Sequence, residues 1–387
     1  MKIFDPSILE LPFFDEGHRR LAAALEAWTE EHAAGLPTAA TADVRDCGRR
    51  ITRTLGAAGW FEHVAGRGRE AGRPPVDFRS VCLIREAFAY VGDLVDFQFA
   101  IQGLACAPLV YYGTEAQRAE HLPAMLTGER VGSLALSEPD AGSDLAAVRT
   151  RAARVGDRYV LNGVKTWTSN GNIADAHCVL ARTGDGGGAF GLSFFLVPAT
   201  APGLTVQDIE LTAGRPFASL AFEECAVPAG NLIGAPGQGF QYAMEILDRY
   251  RITVGAAAIG FCRRAMRAAL DWSKSRKVFG APLFDQQMTK DKLAGMAVYL
   301  DAASLLVARA AWEVDRGQRR FSRHASVAKL YATDAAQPVI DDCLQLFGAA
   351  GLVKDSIPEM LYRQVRSLRI YEGTSEIQKL IIANSLR

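Results

Sequence analysis

The chain has 387 residues, of which 49% are hydrophobic and 22% are charged, and its 43 basic and 43 acidic residues give a net charge of zero. This composition is typical of a soluble globular protein, and the length predicts roughly two or three structural units. Nothing in the charge balance indicates an electrostatic nucleic-acid binder, although a balanced total is compatible with a local basic patch. No uninterrupted apolar run approaches a membrane span, so we expect neither nucleic acid nor a membrane as a partner.

The N-terminus lacks the basic start and continuous apolar core of a signal peptide. The seven cysteines are scattered without a Cys-x-x-Cys pair, and the six histidines form no His-x-x-His motif. Scattered thiols of this kind are typical of reduced, buried side chains. We therefore expect a cytoplasmic protein with no metal site.

Three regions with different predicted structure follow one another. Residues 1–130 are predicted to be a helical domain, residues 131–235 a β-domain and residues 236–387 a domain of long helices. This order indicates an α+β multi-domain chain and not a doubly wound sheet. Helical composition and periodicity in the first region predict helices at 18–28, 81–90 and 103–112.

In the middle region, the hairpin-type dipeptides Gly156-Asp157 and Asn162-Gly163 bracket a predicted strand at 158–161. Apolar runs predict further strands at 178–182, 192–197, 204–211 and 220–223. The last region contains predicted helices at 240–248, 254–276, 290–316, 325–347 and 376–386.

The segment 370–378 is the most informative stretch of the chain. Ser375 to Gln378 fits a Ser-x-x-Gln capping box, which predicts that the last helix begins there and leaves Glu372 just outside it. A carboxylate on such a loop, fixed and poorly solvated, suits proton abstraction. An acidic residue near a helix N-terminus also complements the helix dipole without any ligand. The segment by itself leaves both interpretations open.

Four other segments are ambiguous in the same way. The hydroxyl-rich turn at 134–144 suits an anion or a ring carbonyl, and Trp167 among the hydroxyls of 165–171 suits a planar heterocycle. Arg276-Lys277-Val278-Phe279-Gly280 offers a phosphate-pairing arginine and a stacking ring, and 345–351 offers backbone amides. The alternatives are a polar loop, a core tryptophan, a helix-terminal basic pair and a plain C-cap.

Taken in order, these five segments resemble the acyl-CoA dehydrogenase family at matching places, and the resemblance runs from Pro12 to the C-terminus. It implies a helical N-terminal domain, a central β-domain and a C-terminal four-helix bundle, assembled as a homotetramer or homodimer. In that family FAD lies between the β-domain and the bundle and is partly contacted by a neighbouring subunit, at positions that match Arg276, Phe279, Gln287 and Gln345. The family positions that contact FAD match Ser137, Ser143, Trp167, Ser169, Arg276, Phe279, Gln287, Gln345, Thr374 and Glu376.

The resemblance also implies roles toward the substrate. Glu372 matches the base that takes the α-proton of an acyl thioester while the β-hydrogen leaves as hydride to flavin N5. Some members place the base at Tyr250, where tyrosine cannot act as a carboxylate, which supports Glu372. Asp248 and Arg251 match substrate contacts. Phe99, Gln102 and Tyr250 match the acyl pocket, where two rings and an amide suggest a short or functionalised acyl group.

The segment 212–219 departs from the family, being about three residues shorter than the usual loop, so the geometry near the flavin stays open there. The leading hypothesis is a dehydrogenase of acyl-CoA that passes electrons to an electron-transfer flavoprotein. One alternative is an acyl-carrier-protein-linked dehydrogenase or another flavin oxidase of the same fold. The other is a non-catalytic flavoprotein binding module, against which the neutral charge and Glu372 both argue.

Overall fold

The computed structural model describes residues 2–37, 42–66, 75–184, 187–318 and 321–387. The chain divides into two compact units, each built from separate stretches of sequence. One unit contains Met1–Leu36, Asp77–Asp96 and Asp248–Arg387, and the other contains Pro37–Val76 and Phe97–Leu247. The three-domain boundaries at residues 130 and 235 stay a prediction, based on where helical sequence patterns change to strand patterns and back.

The N-terminal region is helical, as predicted. The helices begin at polar caps: Asp15 caps α2 in a capping box with His18, Asp77 caps α5 and Thr114 caps α7. The predicted helix at 103–112 is only the second half of α6, because α6 is apolar on all sides and has no amphipathic period to mark its start. The helices are α1 Pro6–Leu9, α2 Glu16–His32, α3 Val44–Ala57, α4 Glu62–Ala65, α5 Phe78–Val91, α6 Asp93–Tyr112 and α7 Glu115–Leu126.

The middle region forms one eight-stranded sheet with the order β6-β7-β3-β2-β4-β5-β8, in which β1 pairs with β4 in parallel. Val179, Phe195, Leu220 and Phe222 belong to the buried cluster that this sheet covers. The strands are β1 Gly132–Ala135, β2 Arg151–Val155, β3 Arg158–Ser169, β4 Ala176–Arg182, β5 Leu192–Pro198, β6 Leu204–Asp208, β7 Phe217–Pro228 and β8 Leu232–Ile233. All seven cysteines of the chain are buried.

One of the two predicted hairpin turns is correct. Gly156-Asp157 joins β2 to β3, with Val155 opposite Arg158. Asn162-Gly163 is not a turn but lies inside β3, at an irregularity in its pairing with β7. Glycine is required there because its φ is 146° and a Cβ would lie 2.6 Å from Thr150 Oγ1.

The last region is built from long helices, with a short strand pair between two of them. The predicted helices at 240–248 and 254–276 are one continuous helix, α8, because no glycine or proline interrupts residues 249–253. The last helix begins one residue earlier than predicted: Thr374, and not Ser375, is its cap. The elements are α8 Gly239–Ser275, β9 Lys277–Val278, β10 Ala281–Pro282, α9 Gln287–Asp315, α10 Ser322–Phe347, α11 Ile357–Val365 and α12 Ser375–Asn384.

Two of these helices, α6 and α9, are long and apolar enough to cross a membrane by length and composition alone. In α6, 89% of the apolar window is buried inside the structure, which is typical of a core helix. The corresponding fraction for α9 is 50%, so this helix keeps an exposed apolar side.

Candidate active site

Glu372 lies on the short loop between α11 and α12 in a backbone conformation that few residues adopt. Its φ is 53° and the φ of Gly373 is 91°, so two consecutive residues are left-handed. For a residue with a Cβ this conformation costs about 1 kcal/mol, and it persists only where the surroundings hold it. The prediction that Glu372 stands outside the last helix is confirmed.

Two side chains hold the turn through one carbonyl. The Lys329 Nζ on α10 donates to the Gly373 oxygen at 2.8 Å, and the Gln378 Nε2 donates to the same oxygen at 2.9 Å. Gln378, one turn into α12, therefore folds back on the loop and does not serve the predicted capping box. The cap is made by Thr374, whose hydroxyl accepts from the Ile377 amide at 3.4 Å.

Asp334 on α10 accepts hydrogen bonds from residues on both sides of the loop. Its Oδ1 accepts from Ser375 Oγ at 2.5 Å and from Arg369 Nε at 3.1 Å. Charge-assisted hydrogen bonds of this kind are stronger than neutral ones, and Ser375 is buried. The segment between Arg369 and Ser375, which contains Glu372, is thus anchored at each end to one helix.

Three buried cations and a second carboxylate surround the Glu372 side chain. Arg85 on α5 forms a bidentate pair with Asp96, at 2.8 and 2.7 Å, and also donates to Thr253 Oγ1 at 2.9 Å. Arg251 on α8 pairs with Asp248 at 2.7 Å. Lys329 is the third cation. Sequence reasoning missed Arg85, Asp96 and Lys329, and no local pattern marks them.

Burial raises the pKa of the Glu372 carboxyl, and the nearby Asp96 raises it further, while Arg85, Lys329 and Arg251 act in the opposite direction. Its Oε2 is buried and, within the described part of the chain, has no hydrogen-bond partner. A carboxylate that is desolvated, surrounded by cations and left with a free oxygen has the properties of a general base.

In the β-sheet unit, the structure brings the first two predicted segments together. The Thr166 amide donates to the Ser137 carbonyl at 3.0 Å, so the turn after β1 lies beside the end of β3. A register shift between Lys165 and Thr168 leaves Trp167 left-handed, with a φ of 55°, and 60% exposed. Bulges of this kind re-aim a side chain, so the core-tryptophan alternative is wrong. Ser169 ends β3 half-buried, and Ser143 is exposed.

Lys165 fixes this turn in a way that the sequence did not indicate. Its fully buried ammonium donates to Glu138 Oε1 and to the Leu136 carbonyl, both at 2.8 Å. Glu138 also accepts from the Arg149 amide at 2.7 Å and the Thr150 amide at 2.9 Å. Burial lowers the pKa of Lys165 to about 8, against the attraction of Glu138. The pair closes the loop that carries Ser137 and Ser143.

The other predicted cofactor residues lie on exposed surface in the helical unit. Phe279 is 98% exposed and left-handed, with a φ of 50°, on the β9–β10 turn. Trp272 joins the ends of α8 and α10, because its ring stacks on Phe347 at 4.6 Å and its Nε1 donates to the Leu346 carbonyl at 3.1 Å. The remaining residues of this set are exposed or, for Thr374, half-buried: Arg276, Gln287, Gln345, Thr374 and Glu376.

The predicted acyl-pocket residues are buried. Phe99 is fully buried and stacks on Phe61, with ring centroids 5.9 Å apart. Gln102 donates to the Met125 and Arg130 carbonyls at 2.8 and 2.7 Å and accepts from the Gly132 amide at 2.9 Å. These bonds give Gln102 a structural role, since both amide protons are used on the backbone. Acyl contact by Phe99 and Gln102 stays a prediction.

Tyr250 and the predicted substrate contacts on α8 also belong to a packed network. The Tyr250 ring meets Phe78 edge-on at 5.4 Å and is 2% exposed. Arg251 donates to Ser326 Oγ at 3.2 Å and to Gln378 Oε1 at 3.4 Å, which links α8 to the residue that holds the Glu372 loop. Asp248 accepts from Ser322 Oγ at 2.6 Å.

The exposed groups suit a flavin nucleotide. Trp167 offers a flat ring beside the Ser169 hydroxyl, and Phe279 offers a ring held away from its own fold by an unfavourable backbone conformation. A large aromatic side chain exposed in this way gains little in folding, so a planar ligand is a physical reason for it. The helical unit carries Glu372 with one buried carboxylate oxygen, and the β-sheet unit carries an exposed aromatic turn. These groups suit the chemistry of a flavin-dependent dehydrogenase.

Family comparisons agree with this class. Three family models match the chain in sequence: acyl-CoA dehydrogenase N-terminal domain over residues 15–129, middle domain over 133–225 and C-terminal domain over 237–387. The human short-chain specific acyl-CoA dehydrogenase, a mitochondrial protein, is 40% identical over 286 residues, which cover 73% of this chain and 69% of that protein. The chain belongs to the acyl-CoA dehydrogenase family and is an FAD-dependent oxidoreductase of that family.

Solved structures share the whole fold. Butyryl-CoA dehydrogenase from Megasphaera elsdenii is 29% identical with a TM-score of 0.87, covering 96% of this chain and 98% of that one. A glutaryl-CoA dehydrogenase from Mycobacterium smegmatis in complex with FADH2 is 27% identical with a TM-score of 0.86, covering 97% and 95%. A chain from the study of the electron transferring flavoprotein of Acidaminococcus fermentans is 32% identical with a TM-score of 0.88, covering 96% and 98%. The predicted three-part architecture is confirmed.

Proposed function

We propose that the protein catalyses the FAD-dependent α,β-dehydrogenation of an acyl-CoA thioester, with Glu372 as the base that takes the α-proton. The observation that supports this most directly is the Glu372 Oε2, which is buried and lacks a hydrogen-bond partner among the described residues. An unpaired buried carboxylate oxygen is unfavourable for folding, so a function that uses it is the physical reason for its position.

The chain's own residues prepare that step. Arg85, Lys329 and Arg251 favour the ionised form of Glu372, which is the form that accepts a proton at Oε2. The left-handed turn holds the carboxylate in one place, which is needed because proton transfer falls off steeply when the donor and acceptor are misplaced. The Glu372 N–H is a candidate donor to the thioester carbonyl, where it would stabilise enolate charge.

Ser137, Ser143, Trp167 and Ser169 would hold FAD from the β-sheet unit. FAD, when bound, supplies the acceptor for the β-hydrogen, which leaves as hydride. The residues proposed to contact the FAD of a neighbouring subunit are Arg276, Phe279, Gln287 and Gln345, and Thr374 and Glu376 are proposed to lie near the adenosine-diphosphate part.

A short or functionalised acyl group is the substrate that we infer. Phe99 matches an acyl-pocket position of the family, and a bulky ring there would restrict the length of an acyl chain. The relatives named short-chain specific and butyryl-CoA dehydrogenase support the same inference. Coenzyme A is the proposed carrier, and an acyl-carrier-protein substrate is the alternative that experiment must separate.

We further propose a homotetramer or homodimer that passes electrons to an electron-transfer flavoprotein in the cytoplasm. Assembly is supported by apolar side chains on the exposed side of the helical unit: Met288 is 78% exposed and Val298 67% exposed, both on α9. The electron acceptor is supported by the similarity to the chain from the Acidaminococcus fermentans study. Buried cysteines that form no disulfide support a reducing compartment.

The test is anaerobic reduction of the purified flavoprotein by a panel of acyl thioesters of different chain length, each on coenzyme A and on carrier protein. We expect loss of flavin absorbance with short acyl-CoA substrates. If no thioester bleaches the flavin, the proposed reaction is wrong. Bleaching by carrier-bound thioesters alone would select the alternative carrier, and nucleic-acid retention without bleaching would favour a binding module.

The base is tested separately with Glu372→Gln. The variant should keep FAD but lose the exchange of the substrate α-proton with solvent deuterium, because the amide cannot accept that proton. Retained exchange would refute the role of Glu372.

A further inference from the structure

The three cations near Glu372 differ in what else they bind. Arg85 donates two hydrogen bonds to Asp96, and Arg251 forms a salt bridge with Asp248 at 2.7 Å. Lys329 is fully buried, and among the described residues no carboxylate forms a salt bridge with it. Its ammonium instead donates to a neutral acceptor, the Gly373 carbonyl, at 2.8 Å.

A buried ammonium without a paired anion is costly, since an ion loses its hydration when it enters a protein interior. The most important opposing attraction on Lys329 comes from Glu372, followed by Asp334. The same attraction appears from the other side, because Arg85 and, after it, Lys329 lower the pKa of Glu372 against the effect of burial. The charges of Lys329 and Glu372 therefore attract each other, and the Lys329 hydrogen bond to Gly373 places the ammonium one residue of backbone away from Glu372.

Resting on the proposed role of Glu372 as the base, we propose that Lys329 is its dedicated positioning residue and counter-charge. The ammonium keeps the carboxylate ionised, and its hydrogen bond to Gly373 keeps the turn left-handed. Arg85 exerts the largest attraction on Glu372, but both arginines already have an aspartate partner, Asp96 or Asp248, whereas Lys329 has none among the described residues. Removal of Lys329 then affects both the charge state and the place of the base.

Each helix packed around Lys329 and Glu372 contributes charged groups, and these groups also act on the pKa values of the two residues. Arg85 comes from α5 and Asp96 from α6. Arg251 and its partner Asp248 come from α8. Asp334 lies on α10 and Glu376 on α12. Asp334 is itself engaged with Ser375 and Arg369, so it does not replace Glu372 as the partner of Lys329.

The first experiment compares wild type with Lys329→Met, which keeps the length of the side chain, and Lys329→Arg, which keeps the charge. The rate of α-proton exchange into deuterated solvent is measured against pH with a thioester that bleaches the wild-type flavin. For Lys329→Met we expect the acid limb to move upward, with exchange roughly tenfold slower than wild type at about pH 6. The deficit should be smaller at higher pH but should not vanish, because the turn has also lost the Lys329 hydrogen bond. Lys329→Arg should restore most of the wild-type profile.

The control is Lys292→Met on α9, where the lysine pairs with Asp342 away from the loop. This variant should leave the profile in place. If the acid limb of the Lys329→Met profile coincides with that of wild type, Lys329 is not the counter-charge of Glu372, even if the variant is slower at all pH values.

A second experiment needs neither substrate nor a Lys329 variant. Burial lowers the pKa of Lys329 to about 8, so its charge is lost as the pH rises through that value. If it is the counter-charge of Glu372, the stability of Glu372→Gln relative to wild type must increase over the same range, because only wild type loses a favourable pair. A difference in unfolding free energy that stays constant between about pH 7 and pH 9 would overturn the proposal.

The two experiments also separate this proposal from the proposed reaction. If wild type fails to exchange any α-proton, the dehydrogenase mechanism fails, while the stability comparison still tests the coupling of Lys329 to Glu372. If wild type exchanges normally and the stability difference does not respond to pH, Lys329 is not the counter-charge.

Discussion

The side-chain amide of Gln378 donates a hydrogen bond to the main-chain carbonyl of Gly373 at 2.9 Å. The orientation of that amide is set from the other side, because the Gln378 Oε1 accepts from Arg251 at 3.4 Å. Gln378 is fully buried, so both polar ends of its side chain are satisfied inside the protein. One residue of the terminal helix thus joins the turn that carries Glu372 to α8.

Replacing this residue tests how much the turn depends on it. Gln378→Leu should lower the free energy of unfolding by about 1–3 kcal/mol, because Arg251 loses an acceptor and Gly373 keeps only the Lys329 bond. Urea unfolding measures the loss. Lys379→Leu, at the neighbouring exposed position, is the matched control and should change little. Equal effects of the two substitutions would contradict the role given to Gln378.

Gly373→Ala should damage the same turn. The φ of Gly373 is 91°, and a Cβ there would lie 2.6 Å from Gln378 Nε2, so alanine adds backbone strain and displaces a hydrogen-bond donor. We expect a loss of stability above about 1 kcal/mol and a larger proportional loss of α-proton exchange. Gly295→Ala on α9 is the control, since nothing lies within 4 Å and the substitution should stabilise the helix. An alanine at 373 with wild-type exchange would show that the turn is not needed.

Glu372 is predicted to cost stability at neutral pH. Its pKa is raised by burial in the folded protein. A raised carboxyl pKa means that its contribution to stability is present below the ordinary value of 4.5 and is lost as the pH rises through the folded pKa. Glu372→Gln should therefore have a higher melting temperature than wild type at pH values above that range, and the advantage should shrink in acid. A melting temperature below wild type at neutral pH would contradict this expectation.

The buried His177 is expected to make the stability of the protein depend on pH in the direction opposite to Glu372. Its Nδ1 lies 2.7 Å from Ser133 Oγ between adjacent strands, and burial lowers its pKa from 6.5 to about 4. A depressed pKa means that stability is fully present above 6.5 and is lost as the pH falls toward the folded value. Over that window the loss is about 3 kcal/mol, from the two pKa values.

Thermal unfolding of His177→Gln at several pH values measures this effect. The variant should be less stable than wild type at neutral pH but should lose less on acidification. His121→Gln on α7, where the side chain is partly exposed, is the control. An acid sensitivity of His177→Gln equal to that of wild type would assign the loss to other groups.

Phe279→Ala tests the cofactor surface. The ring is 98% exposed and its backbone is left-handed, so folding of the apoprotein should be unaffected. Loss of a stacking partner should lower the amount of FAD that remains bound after gel filtration, read from flavin absorbance per polypeptide. A drop in apoprotein stability would instead assign Phe279 to the packing of its own unit. Full flavin retention would remove it from the FAD site.

Much of the fold follows from local sequence. Strand and helix positions follow from the sequence where a local pattern is clear, as in the periodic helices α2 and α5 and the apolar run of β5. The errors fall where the pattern gives no signal: α6 is apolar all round, α8 has no breaker at 249–253, and Asn162-Gly163 has turn composition inside a strand. In that strand the close approach of Thr150, a tertiary contact, overrides the local preference.

The sequence by itself determined that Glu372 stands on a loop before the last helix, because a cap and an apolar run are local signals. Only the tertiary structure decided how buried the Glu372 carboxylate is and which charges act on its pKa. Arg85, Arg251 and Lys329 come from three helices far apart in the chain, and their effect on Glu372 depends on burial and distance. Electrostatic interaction acts through space and desolvation depends on the whole surroundings, so neither is encoded in the spacing of residues along the chain.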